Sequence, residues 1–168
     1  IRWTCGGTAP QVCLHPAFVG SREALDADFR SVYRRLDGTP FAFTRVEQRP
    51  RGIGSRTDSS NTVAFAIDDP VHADYADAVV DVAANALTGG QQCVQEPDAA
   101  PSSTTGIALE QVLVAWAAGF PSVVSSGDPA ATAAFAEYTA LSGPAQRAWL
   151  ALHVDAVRHC TLTSADFR

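Results

Sequence analysis

The sequence predicts a single α+β domain over residues 1–168, a small N-terminal β-α-β-β sheet unit followed by a mostly helical bundle. Three observations carry that prediction. Short runs rich in β-branched and aromatic residues fall in the first 67 positions. Apolar residues recur at helical spacing through most of the remainder. Finally, 168 residues with 46% apolar and 18% charged content suit one domain with a real core, and neither a repeat nor a linker divides the chain.

The elements follow in order. Residues 12–15 read as a strand that Pro16 stops. Ser21 is placed to cap a helix running to Leu36, with Leu25, Phe29, Val32, Tyr33 and Leu36 on one face. Asp37-Gly38-Thr39-Pro40 supplies turn chemistry. Residues 41–48 read as a strand with Phe41, Phe43 and Arg45 alternating against Ala42, Thr44 and Val46, and residues 62–67 as another. Between them, 49–61 is a loop carrying Pro50, Gly52 and Gly54.

The helical part begins at residue 73. Tyr75, Val79, Val82, Ala83 and Leu87 share a face until Gly89-Gly90 ends the helix. Residues 95–104 read as a Pro/Ser loop, with Thr105 capping a helix to Ala118 that buries Ile107, Leu109, Val112, Leu113 and Trp116. Asp128-Pro129 opens a helix to Leu141, an N-cap followed by proline at the first position. Ser142 and Pro144 open one last long helix through Trp149, Leu152, Val154 and Val157, and 163–167 adds a turn.

Composition narrows the class. The net charge is −6, which disfavours nucleic acid and anionic lipid as partners through the global field. Arg30, Arg34 and Arg35, and Arg45, Arg49, Arg51 and Arg56, form local clusters that read as solvated surface. All 12 basic residues are arginine, which with heavy Ala, Val, Asp and Gly use suggests a GC-rich coding sequence. The lack of methionine reads as a processed product or a piece of a longer protein. No run approaches the ~18 apolar residues of a membrane span.

Cys5, Cys13, Cys93 and Cys160 contain no CxxC pair. An even count at wide spacing fits disulfides and an oxidising compartment. Of the three possible connectivities, Cys5–Cys13 and Cys93–Cys160 is the expected one. The first pair brackets the turn-rich Gly6-Gly7-Thr8-Ala9-Pro10, and the second would tie a middle helix to the last one. Closing that longer loop would contribute about 3–4 kcal/mol in the chain-entropy account.

Chemical motifs are incomplete. Cys13-x-His15 lacks a second ligand pair, and His153 and His159, six apart on a helix, point to different sides. GxSxG, HExxH, P-loop and GxGxxG patterns do not occur. Asp68-Asp69-Pro70 reads as a turn after a strand. No cofactor and no metal is expected.

Two family resemblances add to this reading. The β-α-β-β start, a helix ending in glycine and a following helix bearing a glutamate resemble the gluzincin metallopeptidases, in which a VVxHExxHxxxG helix supplies two zinc-binding histidines and the general base. Here the helix reads Val79-Val80-Asp81-Val82-Ala83-Ala84-Asn85-Ala86-Leu87-Thr88-Gly89, followed by Leu109-Glu110-Gln111. The resemblance implies that Asp81 and Asn85 stand at the histidine positions, Val82 at the base, and Glu110 at the third ligand. A valine moves no proton, so the pattern implies a degenerate, non-catalytic peptidase-like fold.

The second resemblance is carried by Cys5, Val12-Cys13-Leu14-His15-Pro16-Ala17-Phe18, Thr44-Arg45-Val46-Glu47-Gln48, Thr62-Val63-Ala64-Phe65-Ala66-Ile67-Asp68, Arg147-Ala148-Trp149-Leu150 and Arg158-His159-Cys160. These segments resemble soluble extracytoplasmic domains of polytopic membrane proteins in high-GC bacteria, many of them ABC-type transporter permeases. The resemblance implies a non-catalytic domain at the extracellular face of the membrane, recognising a partner or ligand. Its partners would be transmembrane segments of the same polypeptide and an ABC ATPase. The alternatives are a secreted metallopeptidase-like hydrolase using Glu110 and a stand-alone secreted binding module.

Overall fold

The β-branched and aromatic runs of the N-terminal part assemble a four-stranded sheet. The computed structural model describes residues 2–50, 61–67, 75–90, 101–124 and 128–168. The strands are β1 (Thr4–Gly6), β2 (Gln11–Leu14), β3 (Arg45–Gln48) and β4 (Thr62–Phe65), in spatial order β1-β2-β3-β4. β1 runs antiparallel to β2, whereas β2, β3 and β4 are mutually parallel. The parallel step from β2 to β3 is made by helix α1 (Arg22–Leu36), giving a β-α-β unit.

One sheet face is apolar. Val12, Leu14, Val46, Val63 and Phe65 are buried on it, and α1 covers it with Leu25, Phe29, Val32 and Leu36. Phe29 meets Phe65 edge to face at 4.8 Å. Helix α2 (Tyr75–Thr88) buries Val79, Val82, Ala83 and Leu87 beside α1, as its period demands. The rest is helical: α3 (Pro101–Ala118), α4 (Pro129–Ala140), α5 (Gly143–Leu152) and α6 (Val154–Arg158). Tyr138 of α4 joins them, contacting Trp116, Trp149 and Phe167 edge to face.

The α+β architecture, a small sheet followed by helices, is as the sequence predicts. Several boundaries are corrected. β1 is an additional strand that the turn-rich reading of residues 5–13 missed. The strand expected over 41–48 is confined to Arg45–Gln48. Upstream, the Thr39 hydroxyl donates to Leu36 O and accepts from Phe41 N, making a turn. Phe41 and Phe43 are buried, but the inward parity then shifts, so Val46 and Gln48 face the core and Arg45 does not. Ser21 does not cap α1 with its side chain. A 3₁₀ turn, Pro16–Ser21, runs directly into the helix, and the buried Ser21 hydroxyl accepts from Tyr75 instead. α3 starts at Pro101, four residues before the expected cap, because proline is favoured in a first turn; residues 95–100 lie outside the described residues. The single last helix is broken at His153 (φ −108°, ψ 18°), and Leu152 beside the break is 79% exposed. Asp128 caps α4 as expected, accepting from Ala130 N and Ala131 N.

Candidate functional site

A pocket opens where the strands end. Because β2, β3 and β4 are parallel, their carboxyl ends lie along one edge of the sheet, and antiparallel β1 brings its amino end to the same edge. Side chains far apart in sequence therefore meet there. Trp3 precedes β1, His15 follows β2, Gln48 closes β3 with Arg49 and Pro50 after it, and Ile67 lies just past β4. Phe18, from the 3₁₀ turn, completes the lining of a pocket of about 280 Å³. In open parallel sheets, ligands bind in the crevice outside the carboxyl ends of the strands.

Gln48 organises this edge. Its side chain is buried, with Oε1 accepting from His15 N at 2.9 Å and Nε2 donating to Ile67 O at 3.3 Å. One amide thus ties the ends of β2 and β4 across the end of β3, where the ladders run out. Replacing Gln48 with leucine leaves a donor and an acceptor unpaired, a cost of about 2 kcal/mol. Urea denaturation should show that loss, and the His15 amide should exchange faster. Unchanged exchange at His15 would remove the bridging role.

His15 is held as precisely as its exposure allows. Its Nδ1 accepts from Ala17 N at 3.3 Å, capping the 3₁₀ turn, and its ring meets Phe18 edge to face at 6.4 Å. In the neutral ring the proton therefore sits on Nε2. Behind the pocket, Glu47 lies between two guanidiniums, bonded to Arg45 at 2.6 Å and 3.6 Å from Arg49 Nη2. Arg22 clamps the first hairpin, donating to Val12 O at 2.8 Å and Thr4 O at 2.7 Å. A Cβ added at Gly6 would stand 2.8 Å from this guanidinium, so a larger residue there would have to displace the Arg22 side chain from the hairpin.

The residues singled out in the sequence are placed as follows. Cys5 and Cys13 stand opposite one another in the β1–β2 register and are bonded. Cys13 therefore offers no thiolate to a metal, and His15 turns to the pocket instead. Cys160 is also disulfide-bonded, whereas Cys93 lies outside the described residues. Asn85 is committed to structure, its amide donating to Ala64 O at 2.7 Å and anchoring α2 to β4. Val82 is fully buried, and Asp81, one position before it, is half-buried. Glu110 is only 4% exposed, neither of its oxygens has a hydrogen-bond partner among the described residues, and burial pushes its pKa up to about 8. No group of three metal-binding side chains occurs among the described residues.

His153 stacks on Trp149 at 4.1 Å, with its Nδ1 2.8 Å from Trp149 O and its Nε2 3.7 Å from Asp166. His159 Nδ1 lies 2.8 Å from Asp155 O. Arg35 of the first arginine cluster donates to Ala117 O at the end of α3, and Arg45 and Arg49 of the second pair with Glu47. Arg51, Arg56 and Asp68-Asp69-Pro70 lie outside the described residues. The sequence does not foretell the pocket: His15 reads there as half of a metal pair and, like Phe18, Gln48 and Ile67, as part of a segment that resembles permease domains, and Trp3 carries no reading. No family model, no curated protein and no solved structure matches this chain.

Proposed function

We propose that this domain is a non-catalytic recognition module that works outside the cytosol and binds a small ligand at the carboxyl edge of its sheet. The observation that carries the reading is the pocket. Its walls are mainly apolar and aromatic, and its few polar groups are fixed by the Gln48 bridge and the His15 cap. That composition is the usual one for small-molecule sites. The Cys5–Cys13 bond and the oxidised Cys160 support an oxidising compartment. The non-catalytic part draws support from Asn85 and Val82, which serve main-chain anchoring and core packing at the positions where the gluzincin pattern needs a ligand and a base.

The segments that resemble permease domains extend the proposal to the parent molecule. In this reading the module would sit on the outer face of a transporter, beside transmembrane segments of the same polypeptide and served by an ABC ATPase. No described helix is long and apolar enough to cross a membrane, so any span would come from elsewhere in such a protein. Hydrophobic spans flanking this segment in its full reading frame would support that extension, and a frame without them would remove it.

The binding reading is tested by titrating a chemically diverse fragment set into the isotope-labelled chain. Shift changes should concentrate at the Trp3 indole, the Gln48 side-chain amide and the His15, Phe18 and Ile67 amides. Fragments that bind only among the helices would refute the pocket as the site.

A further inference from the structure

We infer that the Cys5–Cys13 disulfide is a redox-operated latch that holds Trp3 in the wall of the pocket, so that a dithiol reductant which opens the bond also opens the pocket. The inference rests on the recognition reading above and adds regulation to the same site. β1 is a sheet-edge strand of three residues, paired with β2. Thr4 and Cys5 are exposed, Gly6 is half-buried, and none of the three belongs to the core. Trp3, one residue ahead, is half-buried, stands outside the core cluster and lines the pocket. The main chain of β1 therefore sets where the indole stands. Two ties fasten that main chain beyond its short ladder. Arg22 donates to Thr4 O at 2.7 Å, and the disulfide joins Cys5 to Cys13, its direct partner in the register. Cys13 is the fixed end of the bond, flanked in β2 by the core residues Val12 and Leu14.

The two ends of the bond differ in access. Cys5 is exposed and Cys13 is fully buried. A thiolate of the reductant approaches Cys5 from solvent, bonds to its sulfur and displaces the Cys13 thiolate, which takes up a proton. The reductant's second thiol then resolves the mixed disulfide on Cys5. Two electrons pass from the dithiol to the bond, leaving two cysteine thiols and the reductant as its own disulfide. Cysteines eight apart close a short ring, and short rings stabilise a fold less than long ones. The core is built without β1, so the opened state is local. An edge strand of three residues with no apolar anchor frays, and Trp3 leaves the pocket wall with it. Val12 and Leu14 hold β2 in place, so Cys13 stays ready and a disulfide oxidant recloses the latch.

The test uses the isotope-labelled whole chain and resolves the Trp3 indole from those of Trp116 and Trp149, which pack on Tyr138 in the helical part. A Cys5→Ala/Cys13→Ala double variant removes this bond and leaves the Cys160 bond intact, and dithiothreitol opens the bond in the parent chain. In both, the Trp3 indole should move to a solvent-exposed resonance and the amides of residues 4–6 should exchange about tenfold faster. In the double variant the Trp116 and Trp149 indoles should stay where they are. Oxidised glutathione should return Trp3 of the reduced parent to its native position and leave the variant unchanged. Members of the fragment set that shift the pocket of the oxidised chain should bind the variant about tenfold more weakly. A Trp3 indole that keeps its native position in both, or a fragment affinity that does not change, overturns the latch and leaves the recognition reading standing. Collapse of all three indoles to unfolded positions in both also overturns it, because the bond is then a structural cross-link. Silence from the fragment set on the oxidised chain removes the recognition reading, and the Trp3 resonance, read without any ligand, still decides the latch.

Discussion

Tyr138→Ala is expected to destabilise the domain by about 4 kcal/mol, the loss typical of a large aromatic truncated in a core. Tyr138 is 1% exposed and links three helical elements. Its ring centroid lies 5.2 Å from Trp116 of α3, 5.2 Å from Trp149 of α5 and 6.4 Å from Phe167 in the C-terminal 3₁₀ turn (Ser164–Phe167). All three contacts are edge to face, the geometry that adds to simple area burial. Burial raises the pKa of the hydroxyl and keeps it protonated, and it donates to Gln146 O over a long 3.5 Å. Gln146 answers with a bond from Nε2 to Tyr138 O at 3.2 Å. Tyr138→Phe, which keeps the ring and loses only that long bond, should cost about 1 kcal/mol or less. Urea denaturation of the two variants separates packing from hydrogen bonding. A loss under 1.5 kcal/mol for the alanine variant would show that the bundle closes without this ring.

Much of this core was legible in the sequence because its cause is local. Leu25, Phe29, Val32 and Leu36 recur with the helical period, and all four are fully buried. Asp128-Pro129 specifies its helix start by side-chain and ring geometry alone, and the turn expected over 163–167 is present as a 3₁₀ turn, closed by a Thr163–Asp166 capping box that the structure adds. The failures have tertiary causes. Thr4-Cys5-Gly6 has no apolar alternation, so β1 exists because Cys13 faces Cys5 and Arg22 clamps the hairpin. The break at His153 follows from partners distant in sequence: its ring approaches Asp166 while stacking on Trp149, whose indole donates to Asp166 O at 2.8 Å. A periodic pattern through Leu152 and Val154 carries no sign of that competition.

The candidate site was less legible still, and the reason is topological. Residues 3, 15, 48 and 67 become neighbours only when three strands run parallel and the first runs against them. Gln48 reads as an ordinary polar residue at the end of a strand until β2 and β4 flank β3. Its two bonds then become possible, and its burial acquires a cause. Glu110 is the opposite case. The sequence singled it out as a surviving zinc ligand, and the structure keeps it as a carboxyl group enclosed by a core, beside Leu109, Val112 and Leu113 on the same helix.

That enclosure makes Glu110→Gln a stabilising substitution at neutral pH. The Glu110 pKa is 4.5 when exposed and about 8 in the fold, raised by burial, so between those values the folded chain holds a proton that the unfolded chain releases. Stability must then fall as pH rises, by about 1.4 kcal/mol per unit, from full value below 4.5 to its floor above 8. At pH 7 the accumulated penalty is about 3 kcal/mol, a large share of the 5–15 kcal/mol typical of a domain. Glutamine matches the neutral acid in shape and does not titrate. The variant should therefore equal its parent near pH 4.5, exceed it by about 3 kcal/mol at pH 7, and lose most of the parent's pH dependence in that window. Denaturation curves at pH 4.5, 6 and 7.5 measure all three. A variant less stable than its parent at pH 7.5 would mean that Glu110 is ionised and paired in the fold, the state a zinc ligand requires, and would return the hydrolase reading to first place.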